Sequence, residues 1–287
     1  MESTDGAREH RLGPEHLAGC TALSESAYWN QNEADWRMML ELGRGYGLSL
    51  ADGTLAASAV TLPYGTDFAW VSMVLVLPEH RRKGYATQLL RRALQDLKAE
   101  RRIAVLDATP AGHDVYAQEG FCDTWGFRRY ALHQAPNRED SVADVKVRPL
   151  AESDWRQVLA LDEPAFGARR EQLLRALAQR LSAGALVAKR EGEVAGFLLG
   201  RDGREAAQLG PLVARDAIAA KALLDAALSL VAPPVYLDLV DREAGLRAWL
   251  ERCGFEFQRP FTRMVYGAER TPGDASLVFC PAGPELG

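Results

Sequence analysis

The hydrophobic positions of this chain alternate between short continuous runs and longer runs with helical spacing. Residues 74–77 (VLVL) are continuously apolar and end at Pro78, whereas the segment from Thr87 places leucines and alanines on one helical face. The same order recurs at 103–107 (IAVLD), which is followed by a helical segment that ends near Gly120. Short apolar runs are typical of buried strands and periodic runs of amphipathic helices. The pattern predicts a mixed α/β sheet with helices between its strands.

A basic turn joins the first of these strands to its helix. The turn contains Arg81, Arg82, Lys83, Gly84, Tyr85, Ala86 and Thr87. A helix N-terminus presents unpaired backbone N–H groups that bind anions, and a glycine lets a ligand approach the backbone closely. We therefore expect this turn to bind a pyrophosphate. The simpler alternative is a solvated helix start whose basic side chains only face water.

The segment after the second strand contains a candidate acid. Tyr116 precedes Gly120 on a helix that Thr109 can cap and Pro110 can start. Together with the basic turn, this segment resembles the two halves of the acyl-CoA-binding signature of the GNAT acetyltransferases. That family usually has asparagine where Thr109 stands and alanine where Gly112 stands. Tyr116 could instead be a core residue of a short amphipathic helix.

The resemblance implies a binding mode for acetyl-CoA as co-substrate. The backbone of the strand at Val74, Leu75 and Val76 would pair with the pantetheine arm, as an added strand does. The basic turn and Thr109 would complete the cofactor site. In the family, the tyrosine on the second helix commonly protonates the departing thiolate, and Tyr116 would have this role. A phenol has a pKa of about 10, so it is protonated at neutral pH and can act as an acid.

The second half of the chain repeats the first in degenerate form. Gly120 and Phe121 recur at 254 and 255, and Leu89 and Leu90 at 223 and 224, both at a shift of 134 residues. The polar, proline-containing segment 135–144 is interpreted as a linker. We therefore expect two tandem GNAT-like domains, at 1–134 and 145–287. Each is expected to be an α/β (α+β) unit with a mixed, largely antiparallel sheet flanked by helices.

The two copies differ where the cofactor chemistry is expected. Under the same shift Gly84 corresponds to Ile218 and Tyr116 to Leu250. A branched side chain obstructs backbone contact with a pyrophosphate, and a leucine cannot donate a proton. We therefore expect the first domain to bind acetyl-CoA and to be catalytic. The resemblance implies that the second is a scaffold or shapes the acceptor site.

Candidates for the acceptor site lie upstream of the cofactor strands. The segment 28–32 (YWNQN) is dense in aromatic and amide side chains, and the resemblance implies that this region roofs the acceptor pocket. The substrate-binding candidates are Trp29, Asn32, Tyr64 and Trp70. Core packing is the competing interpretation for these residues, and it is the favoured one for the nearby Trp36 and Met39.

An attacking amine must be neutral, so a group has to accept its proton. Glu33, Asp35, Asp67 and Asp107 lie on segments that could reach the site. Asp107 ends the strand that faces the expected cofactor cleft and is the catalytic candidate of this set. It could instead cap the following turn through its side chain, and a chain of waters could replace a base altogether.

Composition argues against several other classes of function. The net charge of −5 and the pI of about 5.7 disfavour binding to nucleic acid or to an anionic membrane. No apolar run approaches membrane-spanning length, and the polar first residues lack signal-peptide features. The four cysteines are far apart, without paired spacing, so neither a metal site nor a disulfide framework is expected. We expect a cytoplasmic protein that is a monomer or a homodimer.

The function predicted from these features is N-acetylation of a primary amine, on a small molecule or a peptide, by direct attack on acetyl-CoA. Two alternatives remain at this stage. A tandem acetyltransferase resembling mycothiol synthase would differ only in its acceptor. A non-catalytic acyl-CoA sensor would use the same fold to regulate a partner, although the tyrosine at 116 argues against it.

Overall fold

A computed structural model of the chain describes residues 6–137 and 145–287. The strands of the first half are β1 (Arg8–Leu12), β2 (Arg44–Ser49), β3 (Leu55–Tyr64), β4 (Phe68–Val76), β5 (Ile103–Ala108) and β6 (Cys122–Leu132). Its helices are α1 (Leu17–Ser26), α2 (Glu33–Leu42), α3 (Tyr85–Ala99) and α4 (Pro110–Gln118). The two strand-to-helix segments predicted from hydrophobic spacing are therefore confirmed as β4 followed by α3 and β5 followed by α4.

The second half follows the same alternation of strands and helices. Its strands are β7 (Lys146–Pro149), β8 (Leu186–Arg190), β9 (Glu193–Arg201), β10 (Ala207–Ala214), β11 (Val235–Val240), β12 (Glu256–Tyr266) and β13 (Val278–Cys280). Its helices are α5 (Trp155–Phe166), α6 (Glu171–Arg180), α7 (Ala217–Leu230) and α8 (Ala244–Arg252).

The described strands form one continuous sheet. Along it the order is β1-β2-β3-β4-β5-β12-β6-β11-β10-β9-β8-β7, and β13 pairs with β10. Most neighbours are antiparallel, whereas β4–β5 and β10–β11 are parallel. The prediction of a mixed, largely antiparallel sheet flanked by helices is therefore confirmed.

Strand β6 of the first half and strand β12 of the second half are exchanged between the halves. Strand β12 lies between β5 and β6, and β6 lies between β12 and β11. The two halves therefore share their central strands, which the repeat in the sequence did not indicate. The predicted linker falls largely on residues 138–144, outside the described residues, and the domain limits 1–134 and 145–287 stay a prediction.

Helix α3 shows how the sequence pattern becomes packing. Its inner face consists of fully or nearly fully buried side chains, namely Leu89, Leu90, Ala93, Leu94 and Leu97. These are spaced three, four and seven positions apart on one helical face, as an amphipathic helix against a sheet requires. On α2, Trp36 and Met39 are fully buried, so the core interpretation of these two residues is confirmed.

Strands β4 and β5 pair only at one end. Their register covers Phe68 to Trp70 on β4 and Ile103 to Val105 on β5. Beyond this point β4 continues along β3 through an irregularity near Met73, whose φ is 50°, and β5 continues along β12. The two strands therefore diverge and leave a wedge between them. From Val71 onward, the edge of β4 that faces this wedge does not pair with β5.

Candidate active site

The wedge between the strands is an open groove of about 340 Å³. Three consecutive residues of β4, Val74, Leu75 and Val76, form one wall, and Thr109 and Tyr116 lie on the opposite side. Arg81 and Ala86, from the turn before α3, also line the groove. The structure thus brings most of the residues expected at the cofactor into one channel. The unpaired edge of β4 along this groove offers backbone groups with which an extended chain could pair.

The turn before α3 leaves the helix N-terminus open. Gly84 is the N-cap, with a left-handed φ of 82°, and no described side chain caps the helix. A Cβ atom built on Gly84 would meet no described atom within 4 Å. Arg82 also has a positive φ, 63°. A turn with successive unusual backbone angles and an uncapped helix start is a geometry that binds anions through backbone N–H groups.

The side chains of the turn differ in their surroundings. Arg81 donates from Nε to the Val76 carbonyl oxygen at 3.3 Å, which ties the turn to the end of β4. Lys83 Nζ lies 3.4 Å from His80 Nδ1. The Tyr85 ring is buried and stacks on His80 at 6.3 Å between ring centroids. Thr87, one turn into the helix, is half-buried.

Tyr116 lies at the inner end of the groove. Its ring packs edge-on against Phe121, with 6.0 Å between ring centroids. A Cβ atom at Gly112 would lie 2.9 Å from this ring, so the glycine makes room for the tyrosine one helical turn later. Burial raises the pKa of the Tyr116 hydroxyl to about 12. The hydroxyl is therefore fully protonated at neutral pH, as an acid must be.

The groove leads into a smaller inner cavity of about 40 Å³. Trp29, Val74, Asp107, Thr109 and Tyr116 border both spaces. The far wall comes from the second half of the chain and consists of Arg259, Phe261, Pro284 and Glu285. A space of this size holds about three water-sized groups. The inner cavity is therefore formed by both halves, next to the tyrosine hydroxyl.

Asp107 borders the cavity but is strongly engaged. Both of its oxygens accept hydrogen bonds from Arg263 of β12, at 2.8 and 2.9 Å, and its side chain is fully buried. Burial raises the pKa of the Asp107 carboxyl, and the Arg263 guanidinium opposes that shift. The guanidinium in turn lies over the rings of Trp70 and Trp125, at 4.4 and 4.1 Å. The pair joins β5 to β12 as well as lining the site.

Comparison with known proteins agrees with this geometry. Residues 15–121 match the model of the acetyltransferase (GNAT) family, and residues 158–280 match a second model, described as an acetyltransferase (GNAT) domain. The chain belongs to the GNAT acetyltransferases. It carries two GNAT domains in tandem.

Several known proteins are similar to this chain over most of its length. An uncharacterized N-acetyltransferase, YitH of Bacillus subtilis, is 22% identical over 246 residues, or 85% of this chain and 86% of that protein. A provisionally assigned acetyltransferase from Pyrococcus horikoshii has a TM-score of 0.81 at 20% identity, covering 100% of this chain and 98% of that one. A tandem GNAT protein from the clavulanic acid biosynthesis pathway has a TM-score of 0.61 at 16% identity, covering 93% and 100%. The structural likenesses support the fold.

Three of the expected acceptor-site residues lie elsewhere in this GNAT protein. Asn32 caps α2, accepting from Asp35 N at 3.1 Å, and its side chain also binds Asp202 and Arg180 of the second half. The Tyr64 hydroxyl donates to the Leu286 carbonyl oxygen at 2.7 Å, and Trp70 Nε1 donates to the Pro284 carbonyl oxygen at 3.0 Å. These last two side chains hold the segment 284–286 against the sheet. Of the four acceptor candidates, Trp29 alone lines the inner cavity.

The loop that carries Trp29 is anchored by the second domain. Asn30 is buried, donates to the Ala206 carbonyl oxygen at 2.9 Å and accepts from the Glu205 and Ala206 N–H groups. Arg204 donates to the Trp29 carbonyl oxygen at 3.0 Å. The roof of the cavity is therefore held in place by the loop between β9 and β10.

Sequence reasoning missed five polar residues of the cavity wall, namely Gln31, Ser72, Arg129, Arg259 and Glu285. Gln31 stands inside the amide-rich segment 28–32, and Ser72 is an ordinary strand residue. Arg259 and Glu285 are more than 140 residues away from Tyr116 in the chain. The sequence contained no signal for these last two, because the strand exchange brings Arg259 to the site and the segment after β13 brings Glu285.

Two further observations concern ligands and membranes. The described part of the chain contains no cluster of three or more histidine, cysteine or acidic side chains that could hold a metal ion. Among residues 6–137 and 145–287, no helix has the length and apolar character needed to cross a bilayer.

Proposed function

We propose that this protein is an acetyl-CoA-dependent N-acetyltransferase whose first domain binds the cofactor and catalyses the transfer. The observation that carries the proposal is the divergence of β4 from β5. It leaves a groove with an open helix N-terminus at one end and a half-buried, protonated tyrosine at the other. A diphosphate and a thioester joined by an extended arm match these two ends.

The binding of the cofactor divides between backbone and side chains. The pantetheine amides would pair with the free edge of β4 at Leu75 and Val76, as an added strand pairs with a sheet edge. The pyrophosphate would lie on the open N-terminus of α3 beside Gly84, where Arg82 and Lys83 add positive charge. Thr109, at the start of α4, borders the expected position of the thioester.

Catalysis in this proposal depends on Tyr116. Attack by an amine places negative charge first on the carbonyl oxygen and then on the leaving sulfur. A donor at the sulfur would contribute roughly 100- to 10,000-fold to the rate. The amine of the acceptor would lie in the inner cavity. The acceptor would be a small molecule or the end of a peptide. Asp107 remains a candidate base, although its bidentate bond to Arg263 favours a positioning role.

The test compares wild type with Tyr116→Phe in an assay of thiol release from acetyl-CoA against a panel of amines. Turnover should fall by about 100-fold or more, because the donor to sulfur is lost, while acetyl-CoA should bind with unchanged affinity by calorimetry. Because burial raises the pKa of Tyr116 to about 12, wild-type turnover should show no loss from tyrosine ionisation up to about pH 10.

Tyr266→Phe is the matched control, since Tyr266 packs against the same Phe121 ring, at 5.5 Å, but does not line the groove. Its turnover should stay near the wild-type value. Equal turnover of wild type and Tyr116→Phe would remove the assigned role. Acetyl-CoA binding without thiol release for any amine would instead favour the acyl-CoA sensor.

A further inference from the structure

Three polar atoms of the inner cavity wall are buried without a partner. Gln31 Oε1, Ser72 Oγ and Glu285 Oε2 have no hydrogen-bond partner among the described residues. The three residues are 2%, 7% and 2% exposed, and all three line the same cavity. Buried polar groups in folded proteins are nearly always satisfied, so unsatisfied ones require an explanation. Residues that line one cavity and carry unpartnered acceptor atoms are suited to a ligand rich in N–H donors.

The charges behind Glu285 leave an excess of negative charge there. Its other carboxylate oxygen accepts from Arg201, which is also 2.8 Å from Asp35. Asp35 further pairs with Arg180, and Arg180 with Asp202. Three carboxylates therefore share two guanidinium groups. These ion pairs contain one carboxylate more than guanidinium groups, and Glu285 Oε2 has no partner among the described residues.

At Arg259, by contrast, a positive charge lacks a counter-charge. Arg259 lines the cavity, and its guanidinium has no hydrogen-bond or ion-pair partner among the described residues. It stands directly across the strand pair from Arg129. The charge of Arg129 is already balanced by Asp238, through bonds of 2.9 and 2.8 Å. Burial and the neighbouring Arg129 lower the pKa of Arg259. An anion bound at Arg259 would favour the charged guanidinium and so oppose both causes of the lowered pKa.

We propose that the acceptor is a small amine that also carries an anionic group, of the amino-acid type. Its ammonium binds Glu285, Gln31 and Ser72, and its anion binds Arg259. This inference rests on the proposed function and specifies its substrate class. Glu285 and Arg259 line the same cavity of about 40 Å³, and this small volume favours a small acceptor over a bulky one.

Glu285 also completes the chemistry at the nitrogen. It accepts one proton from the ammonium, which leaves a neutral amine. The nitrogen lone pair forms the C–N bond with the thioester carbonyl carbon, the C–S bond breaks, and the sulfur takes the Tyr116 proton. The second amine proton restores Tyr116, and Glu285 releases its proton to solvent. The products are the N-acetyl compound, coenzyme A and one proton. Burial raises the pKa of Glu285, and the charge of Arg201 opposes that shift, so the carboxylate is a stronger base than an exposed one.

The first experiment compares amino acids with their uncharged amides, glycine with glycinamide and alanine with alaninamide, as acceptors in the thiol-release assay. We expect kcat/KM at least 10-fold higher for the acids. Arg259→Gln should lower kcat/KM for the acids by 10- to 100-fold and leave the amides unchanged. Arg128→Gln is the control, because Arg128 is on the adjacent strand, pairs with Asp241 and does not line the cavity.

The outcomes separate the two proposals when binding is measured alongside turnover. Equal use of acids and amides, with equal loss in Arg259→Gln, overturns the inference and keeps the acetyltransferase. If amino acids raise the Tm only when Arg259 is present but cause no thiol release, the assignment of the cavity stands and the proposed function is overturned. If no amino acid binds and none causes thiol release, the inference is overturned, whether or not acetyl-CoA binds.

The second experiment tests the role of Glu285 through Glu285→Gln, which keeps the side-chain shape. We expect kcat to fall at least 100-fold and the acidic limb of the pH profile of kcat/KM to disappear, with acetyl-CoA affinity unchanged. Asp202→Asn is the control, since Asp202 belongs to the same charge cluster, is largely exposed and does not border the cavity. An unchanged pH profile in Glu285→Gln, or weaker acetyl-CoA binding in both variants, would show a merely structural role.

Discussion

Helices α3 and α7 begin at corresponding places in the two domains, but their N-termini are satisfied in different ways. Gly84 starts α3, and no described side chain caps it. Asp216 starts α7, accepts from Ala219 N at 2.9 Å and pairs with Arg190 at 2.7 Å. In the second domain a carboxylate of the protein itself therefore occupies the helix N-terminus, which the first domain leaves open. A helix end that is capped internally no longer needs an external anion.

At the central strands, unlike at these helix ends, the two domains are alike. Arg263 lies opposite Asp107 across β12 and β5, and Arg129 lies opposite Asp238 across β6 and β11. Both pairs are bidentate and buried. The exchange of strands makes each pair a link between the domains. The active site borders the carboxylate of one pair and the guanidinium of the other.

The largest expected effect comes from breaking one of these pairs. Asp107→Asn and Asp238→Asn should each lower the free energy of unfolding by about 3–5 kcal/mol, because each leaves a buried guanidinium without its counter-charge. Urea unfolding measures the change. The control replaces both members of one pair, Asp107→Leu with Arg263→Met, and should cost much less than either single substitution. Single variants within about 1 kcal/mol of wild type would contradict the account.

The next effect tests the open helix end. Gly84→Val should weaken acetyl-CoA binding by about 100-fold, or about 2.7 kcal/mol, because a branched side chain at positive φ strains the turn and obstructs the diphosphate. Gly192→Val is the control, since this glycine has a φ of 89° and open surroundings in the turn between β8 and β9 of the second half. Calorimetry with acetyl-CoA should show wild-type affinity for this control. Equal weakening in both variants would indicate lost stability rather than a lost site.

The comparison also shows which features the sequence could predict. The order of strand, turn and helix at 74–99 and at 103–118 follows from local periodicity and from Gly84 and Pro110, so it was predicted correctly. The partner of Asp107 is 156 residues away, on a strand that belongs by sequence to the other copy. Arg259 reaches the cavity for the same reason, whereas Glu285 reaches it on the segment after β13, which Tyr64 and Trp70 hold. Contacts between such distant parts of the chain leave no local pattern of spacing, and these residues were therefore missed.

The smallest effect concerns the closed helix end of the second domain. Asp216→Ala should lower the free energy of unfolding by about 1 kcal/mol, the usual contribution of an N-cap carboxylate, without changing acetyl-CoA affinity. The hydrogen bond from Arg190 is the main cause that lowers the pKa of Asp216 in the folded protein. A depressed folded pKa stabilises the protein above the unfolded value of about 3.9, and this contribution is lost as the pH falls through the folded pKa.

The difference between wild type and Asp216→Ala should therefore be the same at pH 7 and pH 5 and shrink at pH 3. Arg190→Gln should show part of the same loss at pH 7, because it removes the ion pair and keeps the cap. If the difference instead grew at low pH, the carboxylate would not be the group that closes α7. The contrast with the open end of α3 would then have to rest on Ile218 alone, whose exposed side chain lies one residue beyond the start of the helix.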